Sequence, residues 1–217
     1  MSYRAVLFDL DGTLLDTLDD LADSGNLALS QLGFPAHPRE AYRYLVGDGV
    51  ESLVRRALPA DRVDAATVSR CSELLRQAYG ERWAQKTRPY PGIPELLDAL
   101  IARGLPMAVL SNKPDHFTRL CVDRLLPRWS FAVVVGARPT LARKPDPAGA
   151  RAVAAQLGFS PHEILYLGDT NTDMQTAVRA EMYPVGALWG FRTADELRAS
   201  GARTLIRQPL ELLELVR

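Results

Sequence analysis

The sequence predicts an α/β protein, a doubly wound parallel sheet with an all-helical segment inserted after its first strand. Three observations predict it. The apolar runs Ala5 to Phe8, Met107 to Leu110 and Ile164 to Leu167 are unbroken, as strands covered on both faces are. From Pro94 onward such runs alternate with helical patterns, the signature of a Rossmann-like three-layer core. Between the first run and that alternation, residues 17–86 carry helical periodicity and no strand pattern.

The first strand ends in Asp9-Leu10-Asp11-Gly12-Thr13, where Gly12 allows a sharp exit and Thr13 supports the turn by hydrogen bonding. Leu18, Leu21, Ala22, Gly25, Ala28, Leu29 and Leu32 then recur at helical steps, and Gly33 is a fitting stop. Pro35 to Pro38 reads as a linker, followed by a short helix through Leu45 that Gly47-Asp48-Gly49 breaks. Helix resumes through Leu53 to Leu58, and a long helix runs from about Arg62 to Trp83. Arg88-Pro89-Tyr90-Pro91-Gly92 marks the return, so the expected core is 1–16 with 87–217 and the insert 17–86. Helix Pro94 to Arg103 precedes strand Met107 to Leu110, which is expected to end in Ser111-Asn112-Lys113-Pro114. Helix Asp115 to Leu126 and strand Phe131 to Val135 follow, then a loop with Lys144 and Pro145 that opens a helix closed by Gly158. Strand Ile164 to Leu167 ends in Gly168-Asp169, with Asp173 four residues on. Helix Met174 to Ala180, strand Pro184 to Leu188 and a last α/β stretch ending at Val216 complete the pattern.

Lys and Arg together number 26 and so do Asp and Glu, which argues against a nucleic-acid footprint. No apolar run approaches the roughly 18 residues of a membrane span. Met1 to Arg4 lead straight into the first strand, and Cys71 and Cys121 each sit in a helical pattern as small core residues. A cytoplasmic location is the expectation. Neither charge nor pattern sets an oligomeric state.

Strand carboxyl ends in a parallel sheet open on one crevice. Asp9 and Asp11, Ser111 and Asn112, and Asp169 and Asp173 follow three of these strands, and Lys144 opens a helix on the same side. Taken singly, Ser111 reads as a turn residue, Lys144 as a solvated lysine, and Asp169 and Asp173 as acids favoured at a helix start. Taken jointly, carboxylates gathered in a crevice repel unless a cation joins them, and hard oxygen ligands suit Mg²⁺. A lysine and a hydroxyl beside them make a cradle for a group with several anionic oxygens, which points to phosphate.

These motifs and their order resemble the haloacid dehalogenase superfamily of phosphatases. Asp9 to Thr13 look like its first motif, Ser111-Asn112 its second, Lys144 its third and Gly168-Asp169 through Asp173 its fourth. The helical insert is similar to the superfamily's type 1 cap. Val46 to Val50, Tyr90 to Gly92 and Ser111 to Pro114 further resemble the bacterial phosphoglycolate phosphatase group. The resemblance implies that Asp9 is the nucleophile, forming an aspartyl-phosphate, and that Asp11 is general acid and then base. It implies Mg²⁺ on Asp9, the Asp11 backbone carbonyl and Asp169, with Asp173 behind them orienting Lys144 or a metal-bound water. Substrate contacts are implied for Asp9, Gly12, Thr13, Ser111, Asn112 and Lys144, with Gly47 and Gly49 contributed by the cap. The partner implied is a small anionic phosphate ester, 2-phosphoglycolate foremost. A sugar phosphate, pyrophosphate or a β-phosphoglucomutase-like transfer are the enzymatic alternatives, and a non-catalytic phosphate sensor is the other. One departure stands out: the fourth-motif helix of the superfamily ends in glycine where this chain has Glu181.

Overall fold

A computed structural model describes residues 3–216. In chain order, β1 (Ala5–Phe8) and β2 (Leu15–Asp16) lead into α1 (Leu18–Gln31), α2 (Tyr42–Leu45), α3 (Val50–Ala57) and α4 (Ala65–Arg82). Then follow β3 (Arg88–Pro89), α5 (Ile93–Ala102), β4 (Met107–Pro114), α6 (Asp115–Leu125), β5 (Val133–Ala137) and α7 (Ala148–Leu157). The chain ends with β6 (Ile164–Gly168), α8 (Asn171–Arg179), β7 (Tyr183–Ala187), α9 (Ala194–Ala199) and β8 (Thr204–Ile206). It divides into two compact units, with boundaries at Leu15/Asp16 and Arg88/Pro89.

The first unit holds a six-stranded parallel sheet ordered β5-β4-β1-β6-β7-β8, with helices on both sides. Alternate residues of each strand face opposite ways, so one sheet face is built from Ala5, Leu7, Ala108, Leu110, Ile164 and Tyr166. Ala150, Val153 and Ala154 of α7 and Ala177 of α8 cover that face. Strand order reverses around β1, which lies between β4 and β6. In open α/β sheets the ligand crevice lies at such a reversal, beyond the strand carboxyl ends.

Four strands depart from the expected bounds, β6 (ending at Gly168) and β7 (Tyr183–Ala187) by one residue and β4 and β5 by more. β4 runs on through Ser111 to Pro114, because Pro114 re-pairs with Ala137 of β5 after an irregularity beyond Leu110. β5 correspondingly starts at Val133 and extends to Ala137, later than the apolar run suggests.

The second unit is all-helical apart from the strand residues at its ends, with α4 packed along α1 and α3. Asp20, buried on α1, accepts hydrogen bonds from Thr87 N (2.8 Å), Thr87 Oγ1 (2.7 Å) and Lys86 N (3.0 Å). That clasp ties the start of the unit to its end.

At the end of α8, Glu181 has a φ of 64°, in the left-handed region. Met182 N donates to Ala177 O (2.9 Å) and Glu181 N to Val178 O (3.1 Å), so the helix closes as if glycine stood there. The left-handed conformation costs a non-glycine residue about 1–2 kcal/mol, partly offset by the chain entropy that glycine would lose. The Glu181 carboxylate contacts Arg151 (3.7 Å) and His162 (3.4 Å), both exposed and worth little. Glu181→Gly is therefore expected to stabilise the protein by about 0.5–1 kcal/mol, a rise in Tm of about 2 °C. A fall in Tm would mean that the two surface contacts outweigh the backbone.

Candidate active site

β1 ends at the crevice in a loop with few degrees of freedom. Asp9 N still donates to Leu167 O of β6 (2.9 Å), so the sheet holds the Asp9 backbone. Leu10 O then accepts from Leu14 N (3.0 Å) and Leu15 N (2.9 Å), folding the loop back on itself. Gly12 has a φ of 89°, and a side chain there would overlap the Asp169 carboxylate. Only glycine fits that position.

The sheet brings the other expected groups to the same end. Lys144 Nζ, buried, donates to Asp9 Oδ1 (2.7 Å) and Asp173 Oδ1 (2.6 Å). Thr13 Oγ1 donates to Asp169 Oδ1 (2.6 Å), and Phe191 N to Asp169 Oδ2 (2.8 Å). Asp173 caps α8 by accepting from Thr170 N (3.0 Å) and Thr170 Oγ1 (2.6 Å). Asn112 clamps the Lys144 loop from both sides: Nδ2 donates to Lys144 O (3.0 Å) and Oδ1 accepts from Lys144 N (2.9 Å). Ser111 Oγ accepts from Lys113 N (3.2 Å). Asp11 turns its carboxylate to Lys113 Nζ (2.9 Å). Gly47 and Gly49 lie in the helical unit, where both have positive φ and Asp48 between them pairs with Arg56.

A family model for haloacid dehalogenase-like hydrolases matches residues 6–187. The chain belongs to that family. It is 36% identical over 208 residues to a phosphoglycolate phosphatase of Pseudomonas putida, covering 94% of this chain and 76% of the relative. A phosphoglycolate phosphatase of Nitrosospira multiformis is 31% identical over 219 residues, covering 100% of this chain and 96% of that one. A crystal structure of a protein from Lactobacillus delbrueckii subsp. bulgaricus superposes with a TM-score of 0.94 at 32% identity, covering 100% of this chain and 99% of that one.

In this member of the haloacid dehalogenase-like family, burial dominates the electrostatics of the crevice. Burial first, and the Asp173 charge next, push Asp169 up to about 7. The same two causes hold Asp9 well above the usual carboxylate range, against the pull of Lys144. Burial alone would lower Lys144, but the charges of Asp173 and Asp9 outweigh it and hold the ammonium well above its ordinary value. Oxygens of Asp9, Asp169 and Asp173 lie within 4.8 Å of one another. Three desolvated carboxylates, two of them on the Lys144 ammonium, form a hard-oxygen donor set that fits a divalent cation. Asp173 is the least suited of the three as a ligand. Its two oxygens already accept from Lys144, Thr170 and the Tyr166 hydroxyl (3.3 Å).

Three contributors escape sequence reasoning. Lys113 is legible only within the Ser111 to Pro114 motif, with no role of its own, and Tyr166 only as an apolar strand position. The segment Trp189-Gly190-Phe191 has no local pattern, yet Trp189 Nε1 donates to Thr13 O (3.0 Å) and Phe191 N holds Asp169. A side chain on Gly190 would overlap the Asp169 side chain, so Asp169 is wedged between Gly12 and Gly190. Gly190→Ala is expected to displace Asp169 and weaken divalent-cation binding by about 10-fold or more, read by calorimetric titration. Unchanged affinity would show that Asp169 tolerates the shift or does not hold the cation.

Proposed function

We propose that this phosphatase hydrolyses 2-phosphoglycolate, a small anionic phosphate monoester, through an aspartyl-phosphate on Asp9 with Mg²⁺ as cofactor. The observation that carries the reading is the buried chain Asp9–Lys144–Asp173 beside Asp169. It fixes a carboxylate and a positive charge side by side at a strand end, where a nucleophile and a phosphoryl anchor are needed. The substrate itself is supported by the relatives named as phosphoglycolate phosphatases.

In the first half-reaction an Asp9 oxygen attacks phosphorus, the ester P–O bond breaks, and the leaving alkoxide takes a proton from Asp11. In the second, Asp11 takes a proton from water, the water oxygen attacks phosphorus, and the bond to Asp9 breaks. Ser111 Oγ and the Asn112 backbone hold phosphoryl oxygens, and Lys144 supplies fixed positive charge. Asp9, the Asp11 carbonyl and Asp169 would hold the cation, which offsets charge on the transferring group. In this reading the helical insert is the cap that selects the ester, and the Gly47–Gly49 turn is its candidate substrate contact. The reaction is assigned to the cytoplasm, whose reducing conditions suit the buried free thiols Cys71 and Cys121.

Steady-state rates over a panel of phosphate monoesters and pyrophosphate, with Mg²⁺ and with chelator, test the proposal. The expected result is Mg²⁺-dependent release of phosphate, with kcat/KM for 2-phosphoglycolate at least about 10-fold above the other compounds. A sugar phosphate or pyrophosphate in first place would overturn the substrate and leave the reaction class. Full activity in chelator would overturn the metal.

A further inference from the structure

Of the four acids in the crevice, Asp11 is the least enclosed, and one contact distinguishes it. Asp9, Asp169 and Asp173 are buried, whereas the Asp11 side chain is 19% exposed and its ion pair is with Lys113 Nζ at 2.9 Å. The Lys113 side chain is only 4% exposed. Its backbone is fixed at both ends: Lys113 N donates to Ser111 Oγ (3.2 Å), and Lys113 O accepts from Thr118 Oγ1 of α6 (3.1 Å). Pro114, the next residue, is back in register with Ala137. One residue therefore links the acid of the β1 loop, the hydroxyl at the end of β4 and the first turns of α6.

We propose that Lys113 is a positioning residue, which sets the orientation of the Asp11 carboxylate for proton transfer to the leaving oxygen. The inference rests on the reading of Asp11 as acid and base. A general acid works only when its oxygen is within hydrogen-bond reach of the atom it protonates, and misplacement by about 1 Å costs about 100-fold. The Asp11 backbone is held by its bridge to Leu15, but its side chain is partly exposed, unlike that of Asp9. An ammonium anchored in β4 and held on Oδ1 fixes the rotation of that side chain and directs the other oxygen to the leaving group. The cation remains beside the carboxylate once the proton has gone to the alkoxide.

Leaving-group dependence tests this. The parameter kcat/KM covers steps up to and including transfer to Asp9 and departure of the leaving group. An alkoxide needs the proton from Asp11, whereas 4-nitrophenolate departs without it. Wild type, Lys113→Met, Lys113→Arg, Asp11→Asn and the double variant Asp11→Asn/Lys113→Met are compared on an alkyl phosphate monoester and on 4-nitrophenyl phosphate. Lys113→Met is expected to lose about 100-fold in kcat/KM on the alkyl ester and less than about 3-fold on the aryl ester. Lys113→Arg should recover most of the loss, and the double variant should be no slower than Asp11→Asn alone. Equal losses on both esters, no loss on either, or a full additive loss in the double variant would overturn the role of Lys113. If Asp11→Asn itself slows both esters equally, the acid–base reading of Asp11 falls, and the inference with it.

Discussion

Asp9→Asn is expected to lower turnover by about 10⁴-fold or more while leaving the protein folded. The amide keeps the shape of the carboxylate and can still accept from Lys144 Nζ, but it has no anionic oxygen with which to attack phosphorus. The stability change should have the opposite sign. Asp9 is held above its ordinary value by burial and then by the Asp173 charge. A carboxyl raised in the folded state contributes stability that is complete below its unfolded value of about 4 and is lost as pH rises through the folded one. In chelator, ionising Asp9 as pH rises is thus a cost, and the variant should melt at the wild-type temperature or above. Asp169, raised to about 7, adds the same slope, so the metal-free wild type should lose stability between about pH 4 and 7. Turnover, thermal melts in chelator and with Mg²⁺, and acid-quench trapping of phosphoenzyme check the set. A folded Asp9→Asn that still turns over would remove Asp9 as nucleophile.

Much of this arrangement is written locally. β1 is an unbroken apolar run that stops at Asp9, and β6 is another that stops at Gly168-Asp169. The change from apolar to acidic marks where each strand emerges from the covering helices, so the acids and their shared side are legible in the sequence. Lys144 was legible by type and flanking proline. Its contact with Asp173 is one the resemblance implies, whereas that with Asp9 is not, because Asp9 reaches it only after the sheet is assembled. The extension of β4 to Pro114 depends on a partner residue, Ala137, in another strand. Trp189-Gly190-Phe191 acts through a backbone N–H, an indole N–H and an absent side chain, none of which leaves a periodic or charged signal. Glu181 shows a limit of another kind. Its residue type contradicts a helix stop, yet the backbone makes one, because the bonds from Met182 and Glu181 outweigh the strain.

Lys144→Met separates the two burdens the crevice carries. The ammonium is buried between Asp9 and Asp173, at 2.7 Å and 2.6 Å, and methionine fills its volume without its charge. Removing one partner of a buried ion pair costs about 3–5 kcal/mol, since the remaining charges stay desolvated. Lys144 is held well above its ordinary value, so its contribution is fully present below the unfolded lysine value of about 10.4 and does not titrate near neutrality. The pH dependence of the loss must therefore come from the carboxylates. As pH falls toward about 4 they take up protons, need the ammonium less, and the gap between variant and wild type should close. Denaturant midpoints at about pH 8 and about pH 5 measure that gap, and one that widened on acidification would refute the electrostatic account. Activity should fall by at least about 100-fold in addition, the loss typical of one preorganised donor to a transferring group. Lys144→Arg should not restore it, because a planar fork is too large for a site built around a point charge. Asp9→Asn removes surplus negative charge and Lys144→Met removes what offsets it. Opposite shifts in stability with a common loss of activity would show that the cluster is kept for catalysis at a cost to the fold.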